Sequence, residues 1–415
     1  MAIRRIMMML LAVFTVCLAG CYNGKETDDV AYTVIIGVDQ AEGGKEKVTY
    51  QIVVPKGLSG GDGGSGEQPK GPWLIESLIV PTPADSRMIL KSIMSRTPQF
   101  SHIVGFIVSE EVARRGIGRN MSYFTNSREF RGSMFVIVVK GSAEEYIKRN
   151  SPTLEATLTE FYEEFLASSS ESSYFLRATF QDFYVRLKNS GGSPYAVYSS
   201  INPMTGEDKP AGVRTPEQKG SPYLAGGIPR TGTENPIDFA GLAVFRGDKM
   251  VGVLNSDETR AVALLQGSFS RGNMGVVDPL AEEETVSLGI RSESKPKITA
   301  ELDGVRPVFN VEVGLEADIL GINSGIHYES SKYRGILERQ ASDLIAGQIR
   351  NMIRHTQELG TDPVGFGLYL RPEFRTTGEM EKSDMTALYQ AADIRVHVSL
   401  RIRRTGLIWR TMPQL

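Results

Sequence analysis

Cys21 offers the most definite chemistry in the chain. It follows Leu18-Ala19-Gly20, and small residues before a cysteine let a signal peptidase cut behind Gly20 once the thiol has taken a diacylglyceryl group. Ahead of it stand Arg4-Arg5 and a run from Ile6 to Val16 that is apolar except for Thr15. A membrane-crossing helix needs roughly 20 apolar residues, so this shorter run reads as the core of an export signal. The arginines hold its start in the cytoplasm. Residues 1–20 are therefore expected to be removed, leaving Cys21 as an acylated N-terminus. At about 0.8 kcal/mol per buried methylene, two acyl chains anchor firmly where one holds only marginally. Cleavage also removes Cys17, the one other cysteine, so the mature chain has no partner for a disulfide.

Other patterns offer less. Gly61-Asp62-Gly63-Gly64-Ser65-Gly66 has the spacing of a dinucleotide fingerprint, but Pro69 and Pro72 follow where a helix must open, so a loop is expected. His102, His327, His355 and His397 are far apart in sequence, and no metal site is suggested. Glu282-Glu283-Glu284 lacks the interleaved oxygen ligands of a calcium loop. No Gly-x-Ser-x-Gly elbow occurs, and no cofactor or enzymatic constellation is expected. The stretch Ser95 to His102 joins a predicted helix to a buried strand. It can present Arg96 and His102 to a partner subunit, and Arg128 and Arg131 in Arg128-Glu129-Phe130-Arg131 are further candidate contacts.

The elements that must position these groups read as a mixed α/β, or α+β, chain in three successive domains. Residues 21–190 form the first. Val30–Asp39 and Lys47–Val54 are rich in β-branched residues around a Glu42-Gly43-Gly44-Lys45 turn and read as a hairpin. A glycine-rich loop over 57–71, a strand from Trp73 to Val80 and a helix capped by Asp85 follow. Next come apolar strands at Ile103–Val108 and Met134–Val139, then a mostly helical stretch from Ser142 to Ser190. Residues 191–236 are rich in Gly, Pro, Ser and Thr and are expected to be a linker. In 237–292 a hairpin turns at Arg246-Gly247-Asp248-Lys249, and Asn255 with Glu258 caps a helix that Gly267 ends; this reads as a small hairpin-helix domain.

Residues 293–415 carry the clearest period. Phe309, Val311, Val313, Leu315, Ala317 and Ile319 alternate with polar residues that include Glu312, Glu316 and Asp318. Ile394, Val396, Val398, Leu400 and Ile402 alternate with Arg395, His397, Arg401 and Arg403. Two half-buried strands with opposite charges are expected side by side. Between them Tyr333 to Leu359 forms a helix of roughly 40 Å with one apolar face. The domain is expected to be an antiparallel sheet with this helix packed on it.

Composition sets outer bounds. The 415 residues suit two or three domains, and 41% hydrophobic content is ordinary for a globular chain. Without Arg4 and Arg5 the mature chain has 44 basic against 49 acidic groups, about −5, which argues against nucleic acid as a partner.

Several short segments, in this order and spacing, resemble the Ger(x)C family, the C-subunit lipoproteins of spore germinant receptors. They are the lipobox with Gly37-Val38-Asp39, Ser95-Arg96-Thr97-Pro98 through His102, Glu110 to Ile117, Arg128 to Arg131, Gly241 to Phe245 with Met250 to Leu254, and Asp362-Pro363-Val364-Gly365-Phe366-Gly367. The family commonly has tryptophan after the lipidated cysteine, where this chain has Tyr22. The resemblance implies three α/β-type domains and a non-enzymatic subunit held by lipid on the outer face of the inner spore membrane. It also implies assembly with polytopic A-type and B-type subunits into a nutrient receptor. A solute-binding lipoprotein that hands a small nutrient to a permease shares the anchor, and it would need a deep cleft between similar lobes.

Overall fold

The computed structural model describes residues 3–7, 29–53, 73–127, 129–152, 154–155, 157–189, 191–212, 222–232, 234–303, 306–328 and 330–404. Cys21, Gly20, Arg128 and the glycine-rich stretch 57–71 lie outside them.

Two sheets organise the chain. The first begins with β1 (Val30–Gln40), β2 (Glu46–Val53) and β3 (Trp73–Val80), an antiparallel meander. Next come α1 (Pro83–Ile93), β4 (Thr97–Gln99), β5 (Gly105–Ser109), α2 (Glu110–Arg115), α3 (Gly118–Asn126), β6 (Phe135–Lys140) and α4 (Ala143–Arg149). Three more helices, α5 (Leu158–Ala167), α6 (Ser169–Ser172) and α7 (Phe180–Lys188), lead to β7 (Tyr195–Ile201). A second hairpin, β8 (Ile237–Arg246) and β9 (Lys249–Leu254), completes the order β3-β2-β1-β5-β6-β7-β8-β9, with β4 beside β1. Its centre is parallel because β1, β5, β6 and β7 are joined by helical crossovers, and both its faces are covered.

The second sheet holds β10 (Arg271–Asp278), β11 (Ala281–Ser292), β12 (Lys297–Asp303), β13 (Arg306–Ile322) and β14 (Asp393–Arg404). Between the sheets lie α8 (Ser256–Gln266) and the long α9 (Ser331–Leu359), and between α9 and β14 come α10 (Thr377–Lys382) and α11 (Met385–Ala391). One apolar cluster runs from Ile137 and Val197 of the first sheet through Leu264 of α8 and Ile349 of α9 to Phe309 and Leu400 of the second.

Three sequence expectations need correction. Residues 191–236 are not simply a linker, since Tyr195–Ile201 is a buried strand between β6 and β8. Both its faces are covered, so the run shows no alternation to find. The unit expected over 237–292 is divided: β8 and β9 extend the first sheet by pairing with β7, whereas β10 and β11 belong to the second. Hairpin strands need an edge to pair with, and β7 supplies it. At α1 the N-cap is Thr82, not Asp85; the Thr82 hydroxyl donates to Asp85 at 2.8 Å.

The C-terminal expectation of a sheet packed on a long helix holds, with one refinement. β11 and β12 both run antiparallel to β13, but β14 runs parallel to β13 because the chain returns through α9. The opposite charges meet as expected. Glu316 of β13 accepts from Arg403 of β14 at 2.7 Å and from Arg291 of β11 at 3.0 Å, and these bonds, Arg291 first, hold its carboxyl below the usual range. The capping box of Asn255 with Glu258 and the left-handed Gly267 are both present.

Gly37-Val38-Asp39 has a packing function. Gly37 of β1 lets α4 lie close: a Cβ there would stand 2.5 Å from Cδ1 of Ile147. Asp39, 7% exposed, accepts from the Ala143 amide at 2.7 Å, the Glu144 amide at 2.9 Å and the Ser142 hydroxyl at 3.1 Å, so β1 caps a helix more than a hundred residues away. Asp39→Ala leaves two α4 amides without this acceptor and is expected to cost about 1–2 kcal/mol. Urea denaturation of the soluble part measures it, and an unchanged midpoint would contradict the capping assignment.

Candidate functional site

The two sheets meet at Asp362-Pro363-Val364-Gly365-Phe366-Gly367, directly after α9. Gly360 ends the helix in the left-handed conformation, and Gly365 also has positive φ, +91°. Those turns fold the Asp362 carboxylate back onto its own loop, where it accepts from the Gly365 amide at 2.7 Å and the Gly367 amide at 3.0 Å. Burial raises the Asp362 pKa, and the amides oppose that shift.

Neighbouring groups tie the loop to the first sheet. The Asp362 amide donates to Ser193 Oγ at 2.8 Å, and the Ser193 amide returns a bond to the Asp362 carbonyl at 2.7 Å. The Pro363 carbonyl accepts from Arg186 of α7 at 2.9 Å and from Gln266 of α8 at 2.7 Å. Thr361 donates to the Phe245 carbonyl of β8 at 2.6 Å. Each of these contacts positions backbone against the first sheet, α7 or α8, while the Phe366 ring meets Phe309 of β13 edge-on with centroids 5.1 Å apart, so the loop works as a joint between sheets.

The Ser95–His102 stretch lies at the start of β1. β4 pairs in parallel with Val30–Tyr32, and Pro98 is buried in it. His102 packs edge-on against the ring of Tyr32, with centroids 5.2 Å apart. Together with Arg131 it lines a cleft of about 300 Å³ whose wall also carries Arg177 and Glu163. Arg177 lies over the Phe135 ring at 5.5 Å. The fold thus brings His102 and Arg131 together, whereas Arg96 does not line the cleft. Sequence reading missed Arg177 and Glu163, which come from the helical stretch and carry no local motif. Three cationic or ionisable donors against one carboxylate suit an acidic or carbonyl-rich protein surface.

A second cleft of about 560 Å³ runs between the N-terminus of α8 and one side of α9, lined by Asn255, Glu258, Gln348, Arg354, His355 and Glu358, among others. His355 Nδ1 meets Glu258 Oε1 at 2.7 Å. That hydrogen bond raises the His355 pKa, with burial opposing. Because the folded value exceeds the unfolded one, the pair's stabilisation is complete below about pH 6.5 and fades as pH rises through the folded pKa. The imidazole is about a third exposed, with 36% of its side chain accessible, so solvent screening keeps the effect below about 1 kcal/mol. His355→Gln is expected to flatten stability against pH over this window, and a wild-type slope in the variant would contradict the assignment.

Among the described residues no group of three His, Cys, Asp or Glu side chains is placed to hold a metal ion, and no helix is long and apolar enough to cross a membrane.

Residues 23–201 match the spore germination protein N-terminal domain, and residues 240–406 match the spore germination B3/GerAC-like C-terminal domain. Spore germination protein KC of Bacillus subtilis (strain 168) is 22% identical over 96% of this chain and 95% of its own length. Spore germination protein B3 of the same organism is 20% identical, covering 94% of this chain and 95% of the relative. The crystal structure of the GerBC protein superposes with a TM-score of 0.53 at 16% identity, over 88% of this chain and 96% of that one, which shows a shared fold. With both halves matched and relatives aligned nearly end to end, this chain belongs to the GerAC-like C-subunit family of spore germination proteins, whose role lies in spore germination receptors.

Proposed function

We propose that this chain is the lipid-anchored, non-enzymatic subunit of a nutrient germinant receptor, required for receptor assembly and for triggering germination. In this reading Cys21, acylated after cleavage behind Gly20, holds it on the outer face of the inner spore membrane beside polytopic A-type and B-type subunits. The match of both halves to spore germination families carries the reading, and the Leu18-Ala19-Gly20-Cys21 order supports the anchor. An anchor confines the folded part to a thin layer and raises its effective concentration beside its partners, so modest contacts suffice. His102 and Arg131, whose side chains make no hydrogen bond or ion pair among the described residues, are the proposed contacts with a partner subunit; Arg96 does not line their cleft, and Arg128 lies outside the described residues.

A solute-binding lipoprotein is the weaker reading. Such proteins close two similar lobes on a ligand, and here a nine-stranded sheet faces a five-stranded sheet of different order. Purification of the tagged full chain from spore membranes tests the proposal. Two polytopic proteins are expected to accompany it, and recovery of the chain alone would count against a receptor subunit. Calorimetry with amino acids and sugars tests the alternative, which requires micromolar binding.

A further inference from the structure

Exposed apolar side chains are concentrated in one stretch of the chain. Of the eleven large apolar side chains exposed beyond residue 7 among the described residues, five fall between Leu74 and Ile93: Leu74, Ile79, Met88, Ile89 and Ile93. Those that also adjoin on the folded surface mark a contact face.

Register sorts these five. Ile79 lies opposite Lys47, which lies opposite Asp39, at the far end of β1. Leu74 lies opposite Ile52, which lies opposite Thr33, close to where β1 starts. Ile93 ends α1 four residues before Thr97, the β4 partner of Val30. Ile89 is one turn back on the same side of the helix, while Ser86 and Leu90 are buried. Leu74, Ile89 and Ile93 therefore share the end of the first sheet where β1 begins, with Met88 on the outer side of α1. Lys91 and Arg96 stand at the same end, and neither side chain has a hydrogen bond or ion pair among the described residues.

Chain length says what this end faces. Val30 stands nine positions after Cys21, and even fully extended that span reaches at most about 32 Å. An acylated Cys21 therefore holds the start of β1 within about 32 Å of the bilayer surface, whatever the orientation of the rest. The mature chain is acidic overall, so an anionic surface repels most of it and favours the end that offers Lys91 and Arg96.

We propose that Leu74, Ile89 and Ile93, flanked by Met88, Lys91 and Arg96, form a docking face that lies on an anionic lipid surface and holds the first sheet with the start of β1 toward the membrane. The inference rests on the Cys21 anchor. Apolar side chains enter the boundary between headgroups and acyl chains while the two cations meet lipid phosphates.

Site-specific labelling tests it, because Cys21 is the only cysteine of the mature chain and its thiol is blocked by the anchor. A fluorophore is attached to the acylated chain at Ile93→Cys or, as a control, at Leu320→Cys, an exposed position on the second sheet. Each protein is reconstituted in phosphatidylcholine–phosphatidylglycerol vesicles with brominated acyl chains. Quenching is expected to be roughly three-fold or more stronger at position 93 than at 320. Ile89→Glu together with Arg96→Glu is expected to remove that difference without changing Tm, since both positions are at least partly exposed. Equal quenching at the two positions on a vesicle-bound chain overturns the docking face and leaves the anchor standing. Mass spectrometry of the N-terminal peptide checks the anchor separately, and an unmodified Cys21 sinks the anchor and the docking face together. If lipid does not quench position 93 and co-purified polytopic subunits shield it from labelling, the face belongs to a protein contact and the lipid assignment falls.

Discussion

Cys21→Ala is expected to leave both sheets folded while releasing the chain from the membrane and slowing nutrient-triggered germination severely. The thiol is the sole attachment point for the proposed lipid, and no described helix can substitute for it by crossing the bilayer. At about 0.8 kcal/mol per methylene, two acyl chains hold a protein that its own surface contacts cannot. The exposed apolar end of the first sheet offers three or four side chains, far less than the anchor. Fractionation of spore membranes reads the first effect, loss of optical density after nutrient addition reads the second, and circular dichroism checks the fold. Normal germination by a released, folded variant would mean that tethering is dispensable.

Asp362→Ala is expected to produce the largest loss of stability of any single polar substitution considered. The carboxylate is 7% exposed and accepts from the Gly365 and Gly367 amides, which the alanine variant leaves buried without a partner. At about 1–3 kcal/mol for each of the two orphaned donors, a loss of about 2–6 kcal/mol follows. Relief of the cost of burying the charge offsets part of it. Asp362→Asn keeps one accepting oxygen and turns an amide toward the second N–H, so it should fall between alanine and wild type. The loop also fixes Ser193, Arg186 and Gln266, and loosening it should separate the sheets in part. Hydrogen exchange is therefore expected to rise around Pro194, Phe245 and Gln266 together. A denaturation midpoint equal to wild type, or exchange confined to 362–367, would show that the loop is not the joint.

The strongest local signals in the sequence belong to elements with one buried face. Residues 309–319 and 394–402 alternate because one side of each strand meets the core and the other meets solvent, and the acidic and basic outer faces foretold their pairing. Asn255, Glu258 and Gly267 announced the ends of α8 because caps are interactions between near neighbours. Strand β7 gave no such sign, since a strand covered on both faces has no period and this one sits among glycines and prolines. The direction of β14 was equally hidden, because alternation fixes which face is buried and not which way a neighbour runs.

The candidate site divides in the same way. Cys21 is legible as an expected acylation site because signal cleavage and acylation read a few adjacent residues, before any fold exists. The cleft of His102, Arg131, Arg177 and Glu163 is a product of folding, and so is the bond from Arg186 to Pro363 across 177 positions. Sequence alone determined the expected anchor, the family resemblance and the amphipathic elements, since each is written in contacts between near neighbours or in covalent chemistry. Tertiary structure alone decided that β8 and β9 complete the first sheet, that the loop Asp362–Gly367 joins the two sheets, and that Leu74 and Ile93 share one end of the first sheet. Strand pairing and loop closure bring together residues whose separation along the chain leaves no local trace, and the register that wins is the one that buries the most apolar surface with its backbone polar groups paired.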